Sequence, residues 1–222
     1  MIAPSDDDYR QTKRLKISGA RLPSPFIELT DWINTHYGVR VLNLVLDTID
    51  PNDLARLNVI FESTEEKRQF LDRNGINFDA SKQAEIRDKF RSVTDDITSH
   101  RHDLARLLVI FSAFEPVART EANWLIADSA IQQLKDSLND RNLWEIRRGF
   151  ECATFFLYTD SQVKDYEAAG TRGRFMQAWA KLAAPHDEFG YLAKRPLIVL
   201  LDSKETFDTV YKSNWFYYDK DH

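Results

Sequence analysis

The sequence is poor in the residues that build several common kinds of site. It has one cysteine, Cys152, in 222 residues, which excludes an intramolecular disulfide and a zinc site made of cysteines. Seven glycines leave little for phosphate-binding loops, and neither G-x-G-x-x-G nor G-x-x-x-x-G-K-[ST] occurs. These absences argue against a nucleotide or dinucleotide site and predict a protein without a cofactor.

Long apolar runs are also missing. No segment approaches the roughly 20 apolar residues that cross a bilayer, and the polar start MIAPSDDDYRQTKR lacks the apolar core of a secretory signal. We therefore expect a cytoplasmic protein with no membrane partner. A net charge of −5 disfavours general nucleic-acid binding, which needs a basic face. The densest basic cluster, Arg141, Arg147 and Arg148, is explained by a solvated strand or loop edge.

Two stretches of eleven residues are nearly the same. DLARLNVIFES (53–63) and DLARLLVIFSA (103–113) match at eight positions. Apolar and polar residues alternate in the first copy, as in a half-buried strand, whereas the second is apolar on both faces and should lie deeper in the sheet. The pair predicts two successive strand–helix units and an internal duplication near 53–98 and 103–139; chance convergence of two strands is the alternative.

Three further apolar runs complete the predicted sheet. VRVLNLVLDTI precedes the first copy and would pair with it as an antiparallel hairpin through the turn DPND. ATFFLY (153–158) and PLIVLL (196–201) follow at spacings that suit a strand plus a helical connection. The sequence thus predicts an α/β fold: a flexible polar segment over 1–20, then a single domain over 21–222 with a mixed sheet and helices packed on it.

Each of the four later strands is followed by the spacing of a helix capping box. The pairs are Ser63 with Glu66, Ser112 with Glu115, Thr159 with Gln162, and Asp202 with Glu205. If these junctions share one sheet edge, that edge is acidic and would meet a basic protein partner. Helix capping alone also explains these residues, and a divalent-cation site is a third interpretation, without a compact ligand spacing.

Aromatic residues are concentrated at the C-terminal end, in SNWFYYDKDH. Four consecutive aromatic side chains, at 215–218, cannot all face one core. Some are expected to anchor a partner, or the segment folds back over the last helix. Trp124, by contrast, belongs to an apolar helical stripe and is predicted to face a core, as are Ala127, Ile131, Leu134 and Leu138.

We predict a non-catalytic, cytosolic protein-binding module with an acidic surface, such as an inhibitor or immunity-type protein that neutralises a basic partner. The predicted binding residues are Glu62, Glu66, Glu115, Asp202, Trp215, Tyr217 and Tyr218. The alternative is a metal-dependent hydrolase or nuclease that uses His100, His102 and Asp103, because alternate residues of a strand share a face and two histidines there would ligate one metal. Familiar catalytic signatures such as G-x-S-x-G and H-E-x-x-H do not occur.

Overall fold

A computed structural model of the chain describes residues 2–49, 54–94 and 106–221. The fold is mixed α/β, with 53% helix and 21% strand, which confirms the predicted class. The strands are divided between two three-stranded sheets, and the chain separates into two compact units between Val117 and Ala118. The single domain expected over 21–222 stays a prediction, because this division concerns compactness alone.

Unit 1 contains a hairpin and one parallel strand. Its elements, in chain order, are α1 (Asp7–Ser18), α2 (Phe26–Tyr37), β1 (Val41–Ile49), β2 (Leu54–Phe61), α3 (Thr64–Arg68), α4 (Ala80–Thr94) and β3 (Leu108–Ala113), with α5 (Glu115–Trp124) beginning after β3. β1 and β2 are antiparallel, as predicted, and β3 runs parallel to β2. Parallel neighbours need a crossover connection, and α3 and α4 form part of it.

The two copies of the repeated stretch are therefore neighbours in one sheet. Val59 matches Val109 in sequence but lies beside Phe111, a shift of two residues that keeps the matching side chains on one face. β2, the first copy, is the central strand, so the prediction that the second copy lies deeper was wrong. The reason is that the polar face of β2 is also covered: Asn58 is 2% exposed.

The helix α1 covers that polar face. Asn58 Nδ2 donates to Asp8 Oδ2 at 2.9 Å, and Asn43 Nδ2 donates to Thr12 Oγ1 at 3.0 Å. Tyr9 is fully buried and stacks on Phe114 with ring centroids 5.0 Å apart. Residues 7–18 are thus a docked helix, which corrects the prediction of a flexible segment over 1–20. The sequence hid this because α1 is polar and makes its contacts through a few residues of one face.

The opposite face of this sheet carries the main core of unit 1. Leu57, Val59 and Phe61 are fully buried there and pack with Ile86 and Phe90 of α4. Apolar side chains of α2 complete the cluster. The alternation along β2 therefore does mark a core-facing row, although both faces of the strand are covered.

Unit 2 repeats the strand arrangement of unit 1. After the end of α5, its elements are α6 (Asp128–Leu138), β4 (Leu143–Arg148), β5 (Cys152–Leu157), α7 (Asp160–Ala168), α8 (Thr171–Ala183), a 3-10 turn (Ala184–His186), α9 (Tyr191–Lys194), β6 (Ile198–Ser203), α10 (Lys204–Thr209) and α11 (Trp215–Asp221). β4 and β5 are antiparallel and β6 is parallel to β5. The core lies on one face, where Phe155, Phe175 and Trp179 are fully buried.

Both hairpins also carry the same irregularity. The register shifts between Val41 and Asn43 in β1 and between Leu143 and Glu145 in β4. This repeated order relates the two units to each other, over longer segments than 53–98 and 103–139. The duplication predicted for those shorter segments stays a prediction.

Two of the four predicted capping boxes are present. Ser63 with Glu66 opens α3, and Thr159 with Gln162 opens α7. The other two need correction. Ser112 lies inside β3, and the cap of α10 is Ser203, whose side chain accepts from the Thr206 amide, because β6 continues one residue past Asp202. Two of the junctions belong to each sheet.

Candidate functional site

The predicted metal site falls on residues that the structure leaves undescribed. His100, His102 and Asp103 all lie between the described ranges 54–94 and 106–221. Within those ranges and 2–49, no group of three or more His, Cys, Asp or Glu residues is placed to hold a metal ion. In the same part of the chain, none of the helices combines the length and apolar character that a membrane crossing requires.

The acidic residues predicted at the strand ends of unit 1 are engaged within the chain. Glu62 accepts from Lys16 Nζ at 2.6 Å and lies 3.2 Å from Arg40 Nη1, and 17% of its side chain is exposed. Glu66 completes the capping box and accepts from the Arg40 amide at 2.7 Å. Glu115 is 9% exposed. These carboxylates have internal partners or are covered, and they do not form an open acidic edge.

The predicted binding residues of unit 2 are also mostly covered. Asp202 accepts from the Tyr218 hydroxyl at 2.7 Å, and Tyr218 is 3% exposed. Burial and this hydrogen bond raise the pKa of Tyr218 well above its usual range, so its hydroxyl remains a donor. Trp215 stacks on Phe207 with centroids 4.0 Å apart. Of the seven predicted binding residues only Tyr217 is exposed, at 53%; α11 mainly seals the sheet, as the second interpretation expected.

A cleft of about 350 Å³ opens beside the turn between β4 and β5, and we call it the hairpin cleft. Its lining residues are Trp124, Arg147, Arg148, Gly149, Phe150, Cys152, Thr154, Tyr218 and Asp219. Trp124 is 43% exposed and Phe150 is 71% exposed, with ring centroids 5.7 Å apart. Two large aromatic rings therefore meet at the surface of unit 2, beside a concave site.

The turn that carries Phe150 is fixed from below by one buried amide. Asn123 is fully buried. Its Nδ2 group lies 3.0, 3.1 and 3.1 Å from the carbonyl oxygens of Gly149, Phe150 and Cys152. Its Oδ1 accepts from Trp179 Nε1 at 3.0 Å. Because Trp179 is fully buried in the core of unit 2, Asn123 links the turn to that core.

A second buried side chain holds the same turn from α5. Arg119 is 2% exposed and donates to Glu151 Oε2 at 2.9 Å and to the Pro196 carbonyl at 3.3 Å. A Cβ at residue 149 would lie 2.5 Å from Cys152 Sγ, so any residue larger than glycine would force the thiol to shift. These contacts hold the backbone of the turn that carries Phe150.

Two arginines of the basic cluster noted in the sequence, Arg147 and Arg148, are paired within unit 2. The guanidinium of Arg147 lies 4.1 Å from the centre of the Trp215 ring and makes two hydrogen bonds to Asp219, at 2.6 and 3.2 Å. Arg148 donates to the carbonyls of Trp124 and Ile126 and pairs with Asp128 at 3.3 Å. Arg147 and Arg148 line the cleft, and each already has a carboxylate partner. A phosphate would have to displace those pairs.

Cys152 in the cleft is a weak nucleophile. Burial and the charge of Glu151 raise the pKa of its thiol, and the thiolate is the reactive form. We expect alkylation by iodoacetamide at neutral pH to be slower than in the same chain unfolded in urea, by about tenfold. Mass spectrometry over time would measure both rates. Equal rates would show that the fold neither shields the thiol from the reagent nor raises its pKa.

The aromatic pair was the feature that sequence reasoning missed. Trp124 was predicted to face a core, but α5 ends at this residue and α6 begins at Asp128, which turns the ring outward. The only signal for Phe150 was an apolar residue next to a glycine between two strands. Chemically, the cleft offers aromatic faces, a neutral thiol and paired charges, a set suited to binding. Comparison of the chain with models of protein families, with curated proteins and with solved structures finds no match.

Proposed function

We propose that this chain is a non-catalytic protein-binding module that holds a basic protein partner at the hairpin cleft of unit 2. The observation that carries the proposal is Phe150, a phenyl ring with 71% of its surface exposed on a turn that the buried Asn123 holds at three carbonyls. An exposed ring on a mobile loop would have to be ordered on binding, which costs free energy. Rigid aromatic anchors beside a pocket are typical of residues that dominate protein interfaces.

Preorganisation is the physical reason to favour binding. Association costs free energy when loops and side chains must be ordered, and a fixed turn avoids most of that cost. Trp124 and Phe150 contact each other at the rim of the cleft, with ring centroids 5.7 Å apart, so an apolar side chain of a partner would be buried against their exposed faces. Large exposed aromatic residues that are grouped, rather than scattered singly, favour an interaction site.

The expected charge of the partner rests mainly on the net charge of the chain. Near the cleft, Asp128 and Asp219 are ion-paired with Arg148 and Arg147 but keep 92% and 53% of their side chains exposed. The whole chain carries a net charge of −5, which speeds encounter with a basic protein. An inhibitor or immunity-type protein that neutralises a basic partner is a concrete version of this proposal.

The test is affinity capture from the lysate of the native host, followed by binding measurements with the purified partner. We expect Phe150→Ala to weaken the complex by about thirtyfold, the effect of losing an anchor worth about 2 kcal/mol. The association rate should fall as salt rises. Isothermal titration calorimetry and stopped-flow kinetics would measure the two effects.

The matched control is Phe216→Ala. Phe216 is 72% exposed, nearly the same as Phe150, and belongs to the C-terminal aromatic segment. Its replacement should leave the affinity within about twofold. If the partner binds Phe150→Ala as tightly as the wild type, the hairpin cleft is not the binding site. If the complex is lost only in Phe216→Ala, the interface lies at the C-terminal segment instead.

A further inference from the structure

Unit 1 contains a small polar cavity between α1 and its sheet, which we call the α1 cavity. It has a volume of about 160 Å³ and is lined by Ile2, Asp6, Asp8, Arg56, Asn58, Ile110 and Ser112. Asn58 is 2% exposed, and its Oδ1 atom is buried without a hydrogen-bond partner among the described residues. A buried carbonyl oxygen left unpaired is unfavourable, so we expect a bound group to donate a hydrogen bond to this atom.

The orientation of the Asn58 amide is fixed by its neighbour. Nδ2 donates to Asp8 Oδ2 at 2.9 Å. Exchanging the two ends of the amide would bring Oδ1 against a carboxylate, which is also an acceptor only. The unpaired atom is therefore the oxygen, and the missing group must be an N–H or O–H donor.

The other groups that line the cavity also favour a cationic donor. Asp6 and Asp8 supply carboxylates, and Ser112, 5% exposed, supplies a hydroxyl that can accept. Arg56 is the one cationic side chain among the described residues of the lining. Asp47 pairs with it by accepting from Nε at 2.8 Å and from Nη2, and the charge of Arg56 also interacts with Asp8. Carboxylates thus outnumber guanidinium groups around the cavity.

We propose that the α1 cavity binds a primary ammonium group, which donates to Asn58 Oδ1, to the Asp8 carboxylate and to Ser112 Oγ. An ammonium carries three donors and no acceptor, which matches a lining of oxygen acceptors. The volume has room for a methylammonium-sized group and a few waters, since water occupies about 30 Å³. The group would come from a small free amine or from the lysine side chain of another protein.

The first test is a titration of the whole chain followed by the NMR signal of the Asn58 side-chain amide. Methylammonium chloride should shift this signal saturably, with a Kd of about 1–10 mM. Tetramethylammonium chloride has the same charge but no N–H donor and should not. N-acetyl-lysine methylamide separates the sources: binding at least as tight as methylammonium assigns the site to a lysine side chain, and weaker binding assigns it to a small amine.

Two variants of the cavity and one control variant complete the test. Asp8→Asn and Asp6→Asn remove a charge with little change of shape, and the side-chain oxygen of asparagine at residue 6 can still accept from the Ala3 amide, as Asp6 does at 2.8 Å. Asp8→Asn should weaken methylammonium binding about tenfold or more, the effect of losing a charge-assisted hydrogen bond. Asp6→Asn should weaken it by a smaller factor, because the carboxylate acts there through charge alone.

The matched control is Asp7→Asn. Asp7 lies between the two on α1, has an 81% exposed side chain and pairs with Arg10, so binding should stay within about twofold. The proposal fails if methylammonium produces no saturable shift up to about 100 mM, if tetramethylammonium produces the same shift, or if Asp7→Asn weakens binding as much as Asp8→Asn does. Water alone would then satisfy Asn58. None of these outcomes depends on the hairpin cleft.

Discussion

Replacing Asn123 by alanine should lower the free energy of unfolding by about 3 kcal/mol, because a buried polar group that loses its partner costs about 1–3 kcal/mol. The substitution removes the donor of three carbonyl oxygens in the β4–β5 turn. It also leaves the indole N–H of Trp179, a fully buried residue, without its acceptor. Urea denaturation monitored by tryptophan fluorescence measures the change in the free energy of unfolding.

A second substitution at the same position separates packing from hydrogen bonding. Asn123→Asp keeps the size of the side chain but replaces the donor by a carboxylate, which would face three carbonyl oxygens. It should destabilise at least as much as alanine, since an unpaired buried charge is more costly than an unpaired neutral group. The control is Asn74→Ala, an exposed asparagine, with an expected change within about 0.5 kcal/mol.

The same variant links stability to function. If Asn123→Ala costs less than about 1 kcal/mol, the amide does not hold the turn, and Phe150 is not preorganised by it. If the cost is as expected, the folded Asn123→Ala protein should also bind its partner more weakly than the wild type, because Phe150 would have to be ordered on binding.

Replacing Tyr9 by alanine should cost about 3 kcal/mol, in the range for deleting a buried aromatic ring. Tyr9 is fully buried and stacks on Phe114 at 5.0 Å, and it is the largest side chain through which α1 contacts its unit. We expect amide hydrogen exchange to accelerate along residues 7–18 in this variant. Urea unfolding and exchange detected by mass spectrometry would measure both effects.

Arg14→Ala is the control for that experiment. Arg14 lies on the same helix and is exposed, and alanine is at least as good a helix former, so stability should change by less than about 0.5 kcal/mol. If Tyr9→Ala behaved like Arg14→Ala, α1 would not be docked and the α1 cavity would lose one wall. Tyr9→Phe, which keeps the ring, should fall between the two.

Local patterns predicted the parts of this fold that depend on neighbours in sequence. The hairpin of β1 and β2 and the capping boxes at Ser63 and Thr159 follow from alternation, from a short turn and from side chains three residues apart. These features are decided within a few residues, so a single sequence contains enough information to find them. Ser112 fails because its strand continues past it.

The candidate sites depend on contacts between distant segments. Trp124 was predicted to face a core, but it lies at the end of α5 and contacts Phe150. Phe150 is 26 residues later in the chain, in the turn between β4 and β5. The alternation along the strand predicts that Asn58 faces solvent. In the structure α1 covers Asn58, through Asp8, which is 50 residues away in sequence. Neither outcome has a local signal, because each is set by which helix packs on which sheet face.

The sequence by itself determined the mixed α/β class, five of the six strands and the scarcity of phosphate-binding glycines, since composition and short-range periodicity set these properties. Tertiary structure alone decided that the predicted acidic residues would be engaged internally, as Glu62 is with Lys16 and Asp202 with Tyr218. It also decided that an aromatic pair and a buried unpaired oxygen would line cavities. The physical reason is that charge pairing and burial depend on separations in space, which a pattern of neighbouring residues does not fix.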